Sequence, residues 1–216
     1  MTGAGTKTDV WPLIHTEREA LANDLTGLTE ERWATPSLCA GLTVREVLAH
    51  LTSAATLTPL RWMAGVIRCG WDFDEQVAMR LAEQLGEDGA ETLERFRGVV
   101  TSTTKPPLPK LAMLGETIVH GEDIRRPLGI RRDHPIPVLT ALAEYYQGSD
   151  MVVEAKGRIG GLRLEATDGP FTVGSGPLVS GTTVALIMAM TGRAAYLAEL
   201  DGDGVSILRE RVPSRD

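Results

Sequence analysis

Apolar positions recur at helical spacing along most of the chain, and the texture changes near residue 156. From Val10 to Leu28, the positions Leu13, Ile14, Ala20, Leu21, Leu25 and Leu28 suit an amphipathic helix. Thr35 to Gly41 reads as a turn, punctuated by Pro36 and Gly41. Thr43 and Glu46 then form a capping box, which predicts a helix with Val44, Val47, Leu48 and Leu51 on one face. This helix is expected to run towards Cys69 with a kink at Pro59, and Trp62 and Trp71 are expected to pack near its end. Residues 72–86 and 89–102 read as two shorter helices, and the proline-rich stretch up to Pro109 as a linker. A helix at 111–124 and another from Pro135 through Tyr146 follow. Beyond 156, Arg158–Thr167 and Phe171–Val173 read as strands, and Thr182–Thr191 as a helix closed by Gly192. A last amphipathic segment covers Val205–Val212. The pattern predicts an α+β protein: a helical bundle over 1–155 and a small α+β domain over 156–216.

The segment Leu111–Ile124 is apolar nearly all round, which predicts a buried helix. Leu111, Leu114 and Ile118 share one side, and Glu116, His120 and Asp123 the roughly opposite one. A buried carboxylate is costly unless it is paired or binds a metal. Glu116 and His120, four apart on one face, can hold one ion between them. A third donor has to come from another helix, and His50, at the edge of its own apolar face, is the candidate. Three N/O ligands with an open fourth position suit catalytic zinc. The bland alternative is a salt-bridged or solvated Glu–His pair. Asp123 is either an outer acceptor for His120 or a simple helix-end acid. Arg125, Arg126, Arg131 and Arg132 either complement the helix C-terminus or dock a substrate carboxylate. His134 is expected in an exposed loop.

Composition narrows the classes. The chain has 216 residues, 43% of them apolar and 24% charged, with a formal net charge of −7. That is an ordinary globular composition, and the net charge argues against a broad nucleic-acid-binding face. Two cysteines, Cys39 and Cys69, make no disulfide framework. With no signal-peptide pattern, they lead to the expectation of a cytoplasmic protein. The longest apolar run, Val184–Met190, is too short to span a bilayer.

The stretches Leu38–Leu51 and Gly115–Gly129 resemble the actinobacterial maleylpyruvate isomerase family of mycothiol-dependent enzymes, within the wider DinB-like metal-binding helical bundles. Gly192–Arg193 and Gly202–Val205 are similar to that family's small, sterol-carrier-like C-terminal module. The resemblance implies a four-helix bundle holding a divalent metal, usually zinc, on His50, Glu116 and His120. It implies mycothiol as thiol cosubstrate, and a catalytic arginine whose nearest match is Arg193. The family motif usually has tryptophan after the glycine, where this chain has Leu42.

The activity so implied is thiol addition to a small electrophile, ending in cis–trans isomerisation or S-transfer. The competing readings are a non-catalytic metal or ligand binder of the same fold, and a structural metal beside a small-molecule or lipid pocket in the C-terminal module. No nucleic-acid or membrane partner is expected, and the state is monomer or homodimer.

Overall fold

The computed structural model describes residues 9–212; a loose N-terminal segment, expected over residues 1–8, falls outside them. Two compact units divide the chain. One takes the residues up to Thr35 with Leu42–Gly121, and the other takes Pro36–Gly41 with the residues from Glu122 onward.

The first unit is helical: α1 (Trp11–Asp24), α2 (Glu30–Trp33), α3 (Val44–Thr56), α4 (Pro59–Arg68), α5 (Phe73–Ala82), α6 (Gly89–Arg97) and most of α7 (Lys110–Arg125). Side-chain oxygens of Thr43, Thr58, Asp72 and Asp88 accept from the third backbone N–H of α3, α4, α5 and α6, satisfying groups that a helix start leaves open. At α3 the capping box is complete: Glu46 Oε2 accepts from the Thr43 N–H at 2.8 Å. The kinked helix expected across Pro59 is instead two helices. Thr58 caps a new start and Pro59 occupies the first turn, where its missing N–H costs nothing.

α3 packs on α5 and α6, and α6 on α1. Ile14, Leu21, Val47, Leu48 and Phe96 of these helices are fully buried, as is Ile118 of α7. Two glycines permit close approach. A Cβ on Gly89 would lie 2.0 Å from the Trp33 ring, and one on Gly65 would lie 2.6 Å from Gln76 Nε2. The linker before α7 is tied down by a buried cation: Arg18 Nη1 donates to the carbonyls of Val99 and Ser102 at 3.3 and 3.0 Å. Burial holds the Arg18 pKa down to about 10. Trp71 does not pack as expected. It is 67% exposed and adopts φ +72°, a left-handed conformation uncommon for a bulky residue.

The second unit joins α8 (Ile136–Gln147) to a three-stranded sheet and further helices. β1 (Arg163–Ala166) lies centrally, antiparallel to β2 (Thr172–Gly174) and parallel to β3 (Leu178–Gly181). Leu164 therefore stands opposite both Val173 and Val179. α9 (Thr183–Met190) is apolar nearly all round and buried except at the half-buried Val184, with contacts to α8, β1 and β3. Gly192, at φ +92°, lets the Arg193 N–H return to the Met188 carbonyl at 2.8 Å, closing α9 in a Schellman-type turn. A 3₁₀ helix (Ala194–Glu199) and α10 (Val205–Arg211) complete the unit.

The architecture is the expected α+β. The division into compact units falls at Gly121–Glu122, with Pro36–Gly41 also in the second, while the change of sequence texture falls near 155. The reason is packing: α8 continues the helical texture of the first half, but its buried face of Leu139, Leu142 and Tyr146 belongs with α9. No helix among the described residues is long and apolar enough to cross a membrane.

Candidate metal centre and its pocket

In the first unit, α3 and α7 bring three donors to one point. His50 Nε2 lies 3.3 Å from Glu116 Oε2, and His120 Nε2 lies 3.4 Å from the same oxygen. The two imidazoles meet edge to face, 4.9 Å between centroids. One ligand atom from each of the three residues falls within 4.8 Å of the others. Each residue reaches this point for a local reason. The capping box fixes the start of α3, Val47, Leu48 and Leu51 bury its face, and His50 stands at the edge of that face. On α7, Met113, Leu114 and Ile118 anchor the helix, and Glu116 and His120 point one turn apart along the same side.

Burial pushes the Glu116 carboxyl up, but hydrogen bonds to His120 and His50, together with their charge, outweigh it. The group is held well below the usual carboxylate range. It is therefore ionised at any pH near neutrality. The donor set fits a divalent metal such as zinc. Tetrahedral coordination with bonds of about 2.0–2.2 Å separates neighbouring donors by about 3.3–3.6 Å, close to the two Nε2–Oε2 distances here. The three side chains remain 12–22% exposed, so the cluster opens on one side.

That side is a cavity of about 160 Å³. His50 and Glu116 line it, with Leu57, Trp62, Phe73, Val77, Leu108 and Met113 forming apolar walls. Trp62 and Phe73 stand 6.4 Å apart at 25°, a stacked pair. Gln76 and Arg80 supply polar groups besides the donor residues. Neither Arg80 nor this wall was singled out from the sequence. The usable signal was the spacing Phe73, Gln76, Val77, Arg80, an i, i+3, i+4, i+7 face of α5.

The remaining expected site residues lie in the second unit. Asp123, fully buried, accepts from Arg193 Nε at 3.0 Å and Nη2 at 2.6 Å, a bidentate pair. Arg193 also donates to the Thr191 carbonyl at 2.7 Å. Next to Asp123 in sequence, buried Glu122 accepts from Tyr196 Oη at 2.8 Å and meets His134 Nε2 at 3.1 Å. His134 is thus buried, not in the exposed loop expected, because it answers a buried carboxylate. Burial, then the Glu122 charge, pushes the Tyr196 hydroxyl far above its ordinary value. The arginine cluster separates. Arg125 is buried within 3.8 Å of Glu122, and Arg126 pairs with Glu199 over the Tyr196 ring.

The fold and the donor cluster define the class: an α+β protein whose helical part carries a three-residue N/O site beside an apolar pocket. Residues 14–107 match the family described as the mycothiol maleylpyruvate isomerase N-terminal domain, in agreement with the resemblance carried by Leu38–Leu51. His50 lies inside the matched span, and Glu116 and His120 beyond it. No curated protein matches the chain. Among solved structures, a histidine-to-alanine variant of the mycothiol-dependent maleylpyruvate isomerase is similar at TM-score 0.62 and 16% identity. The mycothiol-dependent maleylpyruvate isomerase itself is similar at 0.58 and 15%. Each alignment covers 89% of this chain and 91% of the other. At such identity the likeness establishes the fold.

Proposed function

We propose that this protein is a metal-dependent enzyme that uses mycothiol, acting as a cis–trans isomerase or an S-transferase on a small electrophile. The observation that carries the reading is the meeting of His50, Glu116 and His120 at the mouth of an apolar pocket. Mycothiol as the thiol is supported by the family match and by the mycothiol dependence of the similar solved structures.

His50 and His120 would hold the metal through Nε2, and Glu116 through a carboxylate oxygen. A bound divalent metal supplies Lewis acidity that keeps a thiol as thiolate near neutral pH, the form that adds to an electrophilic carbon. The chain's own part is positioning. Glu116 stays ionised and contributes the one negative ligand, so a dication keeps net positive charge. The walls at Leu57, Trp62, Phe73 and Met113 keep water from the electrophile. If the adduct rotates about its former double bond and expels the thiol, the outcome is isomerisation; if it leaves intact, the outcome is S-transfer. Arg193, held by Asp123, is kept as the arginine that the resemblance assigns to catalysis.

Cobalt(II) substitution tests this reading. Adding mycothiol to the cobalt-loaded protein is expected to produce a near-ultraviolet thiolate-to-cobalt absorption band, absent in His50→Ala. A spectrum indifferent to mycothiol would leave a metal binder without thiol chemistry.

A further inference from the structure

The pocket beside the donor cluster carries one largely covered cationic side chain, 13% exposed, that the proposed reaction does not use. Arg80 lies on the α5 face that lines the cavity. Its Nη1 donates to both carboxylate oxygens of Glu83, at 2.8 and 3.1 Å, and its Nη2 to the Arg61 carbonyl at 2.9 Å. Its Nε–H is buried without a hydrogen-bond partner. A buried N–H left open costs free energy unless something occupies it. The fold holds it there: Gly65 on α4 leaves the space that Gln76 and Arg80 fill, since a Cβ would lie 3.1 Å from Arg80 Nη2. The Glu83 partner is itself 36% exposed, so it neutralises Arg80 only partly. The rest of the wall is apolar and aromatic, and Phe73 and Val77 are 52% and 44% exposed, left for a ligand to cover.

We propose that Arg80 is a specificity-determining residue of this pocket: it recognises a carboxylate, so that a small planar acid binds in preference to its neutral analogue. The acid's apolar body packs on Trp62, Phe73 and Val77, and its carboxylate accepts from Arg80. This rests on the reading of the cavity as the substrate pocket, but not on the metal.

Calorimetric titration of the full chain with trans-cinnamate and with cinnamamide tests it, on both metal-stripped and zinc-loaded protein. The wild type is expected to bind the acid about tenfold more tightly than the amide in both forms, the margin of a charged hydrogen bond. Arg80→Met should bring the ratio close to one, and Arg80→Lys should restore part of it. Glu83→Gln, which removes a competing carboxylate at the surface, should raise the ratio several-fold. Equal binding of acid and amide by the wild type, or binding of neither, overturns the proposal, as does an undiminished preference in Arg80→Met. So does a preference that appears only with zinc, which would put the carboxylate on the metal. A preference that persists in metal-stripped protein upholds Arg80 even if the metal reading fails.

Discussion

His120→Ala is expected to strip the divalent metal from this protein and to abolish thiol-dependent activity, while leaving a folded chain. Exchange of groups that merely orient metal ligands costs about 10–100-fold in affinity. Loss of a ligand itself should therefore exceed about a hundredfold. Of three donors, two would remain, one of them the carboxylate that His120 helps to keep ionised. The helix should survive, because α7 is anchored by Leu114 and Ile118 on its other side and alanine is the best helix former. Elemental analysis after dialysis, beside circular dichroism, makes the measurement. His15→Ala, on α1 and stacked on Trp11, is the control and should keep its metal. Undiminished metal in His120→Ala would remove that residue from the ligand set.

The second large effect concerns the other unit. Asp123→Ala should destabilise it by about 3–5 kcal/mol, since a fully buried carboxylate holding two guanidinium N–H groups is removed and a charge is left behind. In a chain of this size that corresponds to a fall in melting temperature of roughly 10 °C. The double variant Asp123→Ala with Arg193→Met should recover part of the loss, because no unpaired charge then remains. Strictly additive losses would show that the pair is not coupled. The same series separates structure from catalysis at Arg193. Arg193→Lys, if it keeps stability and loses turnover, supports the role that the resemblance gives it.

Much of this was legible in the chain, for reasons that can be traced. The capping box at Thr43 and Glu46 is a local device, fully specified by four residues, and it starts α3 where the sequence put it. The opposed faces of α7 follow from helical period alone, so Glu116 and His120 could be read as one-sided before any packing was known. That His50 meets them depends on how α3 and α7 pack, which spacing cannot reveal; the sequence nominated it and the fold brought it within reach.

The misses share a cause. β3 is four residues long, and its pairing partner β1 lies well upstream, so nothing local marks it. His134 is buried because Glu122 is, and a partner twelve residues away leaves no periodic trace. Arg80 sits among ordinary exposed-looking residues of α5; helical spacing marks its face, but the close approach of that face to Gly65 on α4 is a matter of packing. α8 carried a helical signal correctly, but which neighbours it serves is a matter of packing.

X-ray absorption at the zinc edge, on zinc-loaded wild type and on the His50, Glu116 and His120 alanine variants, reaches the central claim most directly. The account predicts a first shell of nitrogen and oxygen at about 2.0–2.2 Å with imidazole scattering, completed by an exchangeable ligand that mycothiol replaces with sulfur at about 2.3 Å. Each alanine variant should lose that shell. A closed shell of four protein ligands unchanged by thiol, or zinc retained by all three variants, would contradict it.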